Sequence, residues 1–146
     1  MKTKSLELND LKSDLSVSNF EVDLEANKYQ GYHYRTGKRN ILQRTAKITP
    51  KKIGQFVTLW KRNKKGITAP IDIREGYDFV IIICKIDNVS GHFRFPVEVL
   101  VEKGIMSSSM SSSTGKRGFR VYPEWDSPLS SQASKAQKWQ SKYFII

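Results

Sequence analysis

Cysteine is almost missing: Cys84 stands alone in 146 residues. A single thiol closes no internal disulfide, so the fold must rest on its apolar core, and such usage fits a reducing cytoplasm. Histidine is scarce too. His33 and His92 are the only two, and with one cysteine they provide none of the usual zinc-site spacings. Long apolar runs are absent as well. The longest, Phe79 to Cys84, is strand-sized and far short of the roughly 20 residues a membrane helix needs. The opening MKTKSLELND holds no apolar stretch of the secretory-signal kind. Lys2 occupies the place a myristoylated glycine would need, and no CaaX box ends the chain. No membrane association is expected.

The most telling absence is of acid. Residues 26–71 carry 12 Lys and Arg and not one Asp or Glu. The whole chain holds 25 basic and 14 acidic residues, net charge +11, so this stretch alone exceeds the total. Charge segregated in this way makes a local positive field that attracts polyanions. A solubilising surface would mix its signs. What remains is ordinary for a folded protein: 38% of residues are hydrophobic and 11% aromatic, too many for a disordered chain. The length suits one domain, taken as residues 1–146 with 1–19 as a helical extension.

Leu8, Leu11 and Leu15 recur at helical spacing within residues 5–17, and a second short helix is placed at Glu21 to Asn27. Gln30 to Thr36 and Ile41 to Ile48 read as a hairpin with a polar, cationic face. Thr49-Pro50 suggests one helical turn before a strand through Trp60. Asp78 to Ile86 (DFVIIICKI) is the strongest strand, apolar enough to be covered on both sides. His92 to Phe95 follows as a strand, then Val97 to Lys103 as a helix closed by Gly104. A serine-rich loop spans 107–113, Gly118 to Tyr122 is a strand, and Ser130 to Phe144 a helix. The expected class is α/β in the broad sense, an α+β mixed sheet flanked by helices.

Four separated strings occur in order: Ala46 to Arg62 (AKITPKKIGQFVTLWKR), Phe95 to Ile105 (FPVEVLVEKGI), Gly118 to Asp126 (GFRVYPEWD) and Lys135 to Phe144 (KAQKWQSKYF). In these the chain resembles the MepB family, small bacterial proteins encoded in some species beside a MarR-type regulator and a multidrug efflux pump. The resemblance spans roughly residues 20–146. It implies a fold similar to the PD-(D/E)xK nucleases and a setting in drug response.

Nucleases of that superfamily hold Mg²⁺ between an Asp and a (D/E)-x-K pair, and the metal lowers the pKa of the attacking water. Where the acid-x-Lys is expected, this chain has Thr45-Ala46-Lys47. The preceding strand offers Tyr32, His33, Tyr34 and Arg35, none of them an acid. Asp10-Leu11-Lys12 is the one literal match, in a segment without a partner strand. Asp78 is the best lone carboxylate and reads more simply as a polar strand end. No catalytic residue, metal or cofactor is therefore expected, and Lys47 remains as a phosphate contact. Gly115-Lys116 fails as a phosphate loop, since Met110 and Arg117 stand where glycine and a hydroxyl residue are required.

Binding fits better. Single strands are held by cations for phosphates and flat rings for bases. Tyr32, Tyr34 and Arg35 face Arg39 and Arg44 across the hairpin. Lys47, Lys51 and Lys52 precede Trp60, which Lys61, Arg62, Lys64 and Lys65 follow. Lys116, Arg120 and Tyr122 repeat the mixture, with Lys116, Gly118 and Arg120 on one strand face. Trp60 and Phe119 read as core. No helix-turn-helix or zinc finger is evident, so the expected partner is RNA or single-stranded DNA, bound with low sequence specificity. The alternatives are a divergent Mg²⁺ nuclease using Asp78 and an adaptor for an acidic protein.

Overall fold

The computed structural model describes residues 17–23, 31–62, 64–110 and 114–146. Its architecture is mixed α+β. The main sheet has six strands, here labelled β1 (Val17–Val22), β2 (Tyr32–Thr36), β3 (Arg39–Thr45), β8 (Phe79–Ile86), β9 (Val89–Pro96) and β11 (Phe144–Ile145), adjacent in that order. All pairs are antiparallel except β3 with β8. A second sheet runs β10 (Gly118–Val121), β5 (Gln55–Thr58), β4 (Lys47–Ile48), and a ribbon pairs β6 (Trp60–Arg62) with β7 (Thr68–Pro70). Among the described residues two α-helices complete it: α1 (Val97–Glu102) and α2 (Ser131–Gln140). No described helix is long and apolar enough to cross a membrane.

The strand β8 is central because β-branched residues occupy both of its faces. Val80, Ile82 and Cys84 point into the larger core, with Phe93, Phe95, Leu100, Val57 and Val121. Ile81 and Ile83 point the other way, to Tyr34 and Ile41. Cys84 is a core thiol, and burial, helped by the charge of Asp126, pushes its pKa up. Trp139, Tyr143 and Phe144 pack on the larger core, Trp139 with its ring 5.5 Å from Phe95.

Several local expectations change. The segment 5–17 lies almost wholly outside the described residues, but Val17 opens a strand, so the helical extension does not run to residue 19. Glu21 and Val22 also lie in β1 rather than in a helix, and the rest of that proposed helix is outside the described residues. Pairing with β2 decides this: Glu21 sits opposite His33 and Val22 opposite Tyr32. Thr49-Pro50 begins a turn rather than a helix, and Lys51 has φ 66°. The C-terminal helix stops at Gln140. A 3-10 turn, Ser141–Tyr143, then feeds β11, because Phe144 and Ile145 cover the edge of β9.

Candidate nucleic-acid interface

The hairpin of β2 and β3 is not the cationic surface its composition implies. Residues 41–44 are all buried. Arg44 is 1% exposed and its Nη1 donates to Asp23 Oδ2 at 2.8 Å and to the Gln43 carbonyl at 2.9 Å. Tyr34 is buried, its hydroxyl donating to Gln43 Oε1 at 2.7 Å. Both residues are removed from any binding surface. Asp23, the acid that neutralises Arg44, also lies 2.6 Å from His33 Nδ1, while His33 Nε2 is 3.0 Å from Glu21. Arg44, Asp23, His33 and Glu21 thus form a chain of contacts that runs from the buried Arg44 out to the exposed Glu21.

A different surface gathers cations. In the second sheet Lys47 pairs with Phe56 and Phe56 with Arg120. Paired residues share a face, so a Lys-Phe-Arg row crosses the outer side, and Arg120 stacks 5.9 Å from the Phe56 ring centroid. The opposite side, with Val57, Phe119 and Val121, belongs to the core. Beyond the row lie two adjoining clefts. One, of about 300 Å³, runs between β10 and α2 and takes in Lys103, Lys116, Arg120, Tyr122, Ser130, Ala133, Ala136 and Trp139. The other, of about 340 Å³, takes in Lys51, Lys52, Ile53, Arg120, Tyr122, Leu129 and Ser130. Arg120, Tyr122, Ser130 and Ala133 are common to both, and among the described residues no carboxylate lines either cleft.

Short-range devices fix this surface. The basic turn before β5 is held by Gly54, at φ +87°, a conformation that costs side-chain-bearing residues about 1–2 kcal/mol. A Cβ there would lie 2.8 Å from the Tyr122 ring and the Val121 carbonyl. The Gly54 amide donates to Asp126, whose carboxyl burial nevertheless pushes up in pKa. Arg120 Nη1 reaches the Ile53 carbonyl at 3.4 Å. On the other side, Gln140 is buried and grips the end of β10. It accepts from Tyr122 N at 2.8 Å and donates to the Arg120 carbonyl at 3.1 Å. One turn earlier, Gln137 donates to the carbonyls of Pro123 and Asp126. Ser130 caps α2 by accepting from Ala133 N at 3.0 Å.

A MepB-like family model matches residues 23–146. The chain belongs to the MepB-like family. It is similar to a solved structure titled "Crystal Structure of MepB", with 34% sequence identity, 92% of this chain and 89% of that chain covered, and a TM-score of 0.86. No curated protein matches it significantly.

Within this MepB-like chain the sequence-derived contacts divide. Lys51, Lys52, Lys116, Arg120 and Tyr122 line the clefts, and Lys47 stands on the adjoining sheet face. Lys116 and Arg120 do share a side, whereas Arg117 is turned away to donate to the Thr68 carbonyl and hydroxyl. The others lie elsewhere. Arg35 borders a separate cleft with Glu21 and Glu75, and Lys61 pairs with Glu75 at 3.0 Å. Arg39 lies over Phe79 and Arg62 over Trp60. Tyr32 packs on Phe20. Lys64 and Lys65 are exposed in the turn after β6.

Sequence reasoning did not select Lys103, Ser130 or Ala133 for the site. The spacing of Ala133, Ala136, Trp139 and Gln140 on one helix face was a visible signal, but it reads equally as core. Asp78 serves the fold: its Oδ2 accepts from Asn40 N at 2.8 Å and its carbonyl accepts from Val97 N. Among the described residues no three His, Cys, Asp or Glu side chains are grouped to hold a metal ion.

Proposed function

We propose that this protein binds nucleic acid with low sequence specificity, favouring RNA or single-stranded DNA over duplex. The observation that carries the reading is the pair of adjoining clefts lined by Lys51, Lys52, Lys103, Lys116 and Arg120 and, among the described residues, by no carboxylate. Cations clustered in this way repel one another, and a phosphate backbone relieves that repulsion while releasing counterions. The rings of Phe56 and Tyr122 lie among the cations, and stacking on rings is available to unpaired bases of any sequence. The helix at this surface, α2, is tied to β10 and the segment after it by Gln140 and Gln137 rather than standing free to enter a groove, which favours single strands.

The fold is read as nuclease-like through the motif resemblance, with its chemistry lost. Thr45-Ala46-Lys47 supplies no acid beside Lys47, and Asp78 is engaged by the backbone of Asn40. On this reading the protein is a binder rather than an enzyme, acting in the cytoplasm, with a role in drug response suggested by the family resemblance.

Matched titrations of single-stranded and duplex oligonucleotides at several salt concentrations test the reading. Five phosphate contacts give a log–log salt slope of about −3.5 on single strands. Tighter duplex binding overturns the preference. An absence of salt-sensitive binding to either, with retention on an acidic protein, overturns the nucleic-acid assignment. Mg²⁺-dependent cleavage lost in Asp78→Ala would restore the enzymatic alternative.

A further inference from the structure

We propose that the cleft between α2 and β10 is a slot for a single unstacked nucleobase, with the flanking phosphates held at its mouth by Lys103, Lys116 and Arg120. The proposal rests on the nucleic-acid reading above and says which part of that surface takes a base.

The slot exists because of two methyl groups. Ala133 and Ala136 are one helical turn apart on the face that lines it, and both are half-buried. Larger side chains at this i, i+3 pair would close the gap between helix and strand. Trp139, the next residue on that face, and Tyr122 from beyond β10 add aromatic lining. Lys103 holds its ammonium 5.4 Å from the Trp139 ring centroid, a cation–π contact that keeps a positive charge beside the slot. The volume, about 300 Å³, lies at the small end of ligand pockets, which run to about 1,000 Å³. That suits one base rather than an extended ligand.

The slot is rigid before anything enters. Gln137 and Gln140 tie α2 to the carbonyls of Arg120, Pro123 and Asp126 and to the amide of Tyr122. Little ordering cost is left for binding. The same bonds explain why sequence discrimination is weak. Gln140 has its oxygen and its nitrogen engaged by backbone, and Ser130 Oγ is engaged by Ala133 N. Of the polar side chains lining the slot, Gln132 is exposed and able to meet a base edge. Paired bases in a duplex stay stacked and cannot enter without unpairing, which gives the single-strand preference a physical cause.

The test uses the full chain and a short single-stranded oligonucleotide carrying 2-aminopurine, with a partner oligonucleotide in which that position is abasic. Binding is expected to change 2-aminopurine fluorescence, and Ala136→Leu is expected to abolish the change. Single-strand affinity should fall about tenfold, the scale of one lost base stack, with the salt slope unaltered. The abasic strand should bind wild type about as weakly as the intact strand binds the variant. Ala133→Leu serves as the second variant, and circular dichroism with thermal melting confirms that either is folded. Folded variants that keep wild-type affinity and fluorescence overturn the slot while leaving the cationic surface intact. If wild type binds no oligonucleotide in a salt-sensitive way, both readings fall together.

Discussion

Two regions of this protein are built from the same residue types and treat them in opposite ways. In the β2–β3 hairpin, Arg44 is buried against Asp23 and Tyr34 is spent on Gln43. In the clefts beside β10, Arg120 and Tyr122 stand among Lys51, Lys52, Lys103 and Lys116, with no acid among the described residues that line the space. A cation's role follows from its neighbours. Where an acid meets it, the pair becomes scaffold; where none does, the charge is left for a ligand.

The contrast breaks most sharply at Arg44. Replacing it with Ala leaves Asp23 buried without its cation, and loss of one partner of a buried pair costs about 3–5 kcal/mol. Urea unfolding should show the free energy of unfolding falling by that amount and the midpoint falling with it, while protein that remains folded keeps its oligonucleotide affinity. Equal loss of affinity without loss of stability would erase the distinction.

Gly54→Ala attacks the other region through its backbone. The αL conformation alone costs about 1–2 kcal/mol, and the new Cβ meets Tyr122 and the Val121 carbonyl at 2.8 Å. Here stability and binding should fall together, because the turn carrying Lys51 and Lys52 shifts. A melt combined with a filter-binding titration reads both.

Lys51→Gln with Lys52→Gln separates them again. Both lysines are exposed, so the melting temperature should stay put. The salt slope on single strands should fall by about 1.4, two contacts' worth.

The gentlest contrast is in acid. Asp72 accepts from Arg74 N, Ser107 Oγ and Arg74 Nε, and these bonds lower its pKa from 3.8 to about 2. A depressed carboxyl stabilises the fold above pH about 4, and the stabilisation is lost as pH falls toward 2. Asp72→Asn should flatten that part of the stability-against-pH curve. The clefts, with no acid among their described lining residues, should contribute nothing to it.

Parts of this were legible in the chain. The strand read at Asp78 to Ile86, found at Phe79–Ile86, was evident from its apolar run through Cys84, which suits a strand covered on both sides. Helix α1 was legible from Pro96 and Gly104. The sharing of a face by Lys116 and Arg120 followed from period-two alternation. The extent of α2 was not, because Ser141 to Phe144 continues the helical pattern until contact with β9 overrides it. Nor was the fate of Arg44, since its partner Asp23 is 21 residues away in the chain and local pattern carries no information about such pairs.

The chain's composition by itself determined that a strong positive field would exist and that one central strand would organise the core, because charge totals and apolar periodicity are local quantities. Only the tertiary structure decided where that field would be exposed. It brought the turn at Lys51, the end of α1, β10 and α2 to one place and sent Asp23 to Arg44 instead, since which charges meet depends on chain segments that only packing makes neighbours.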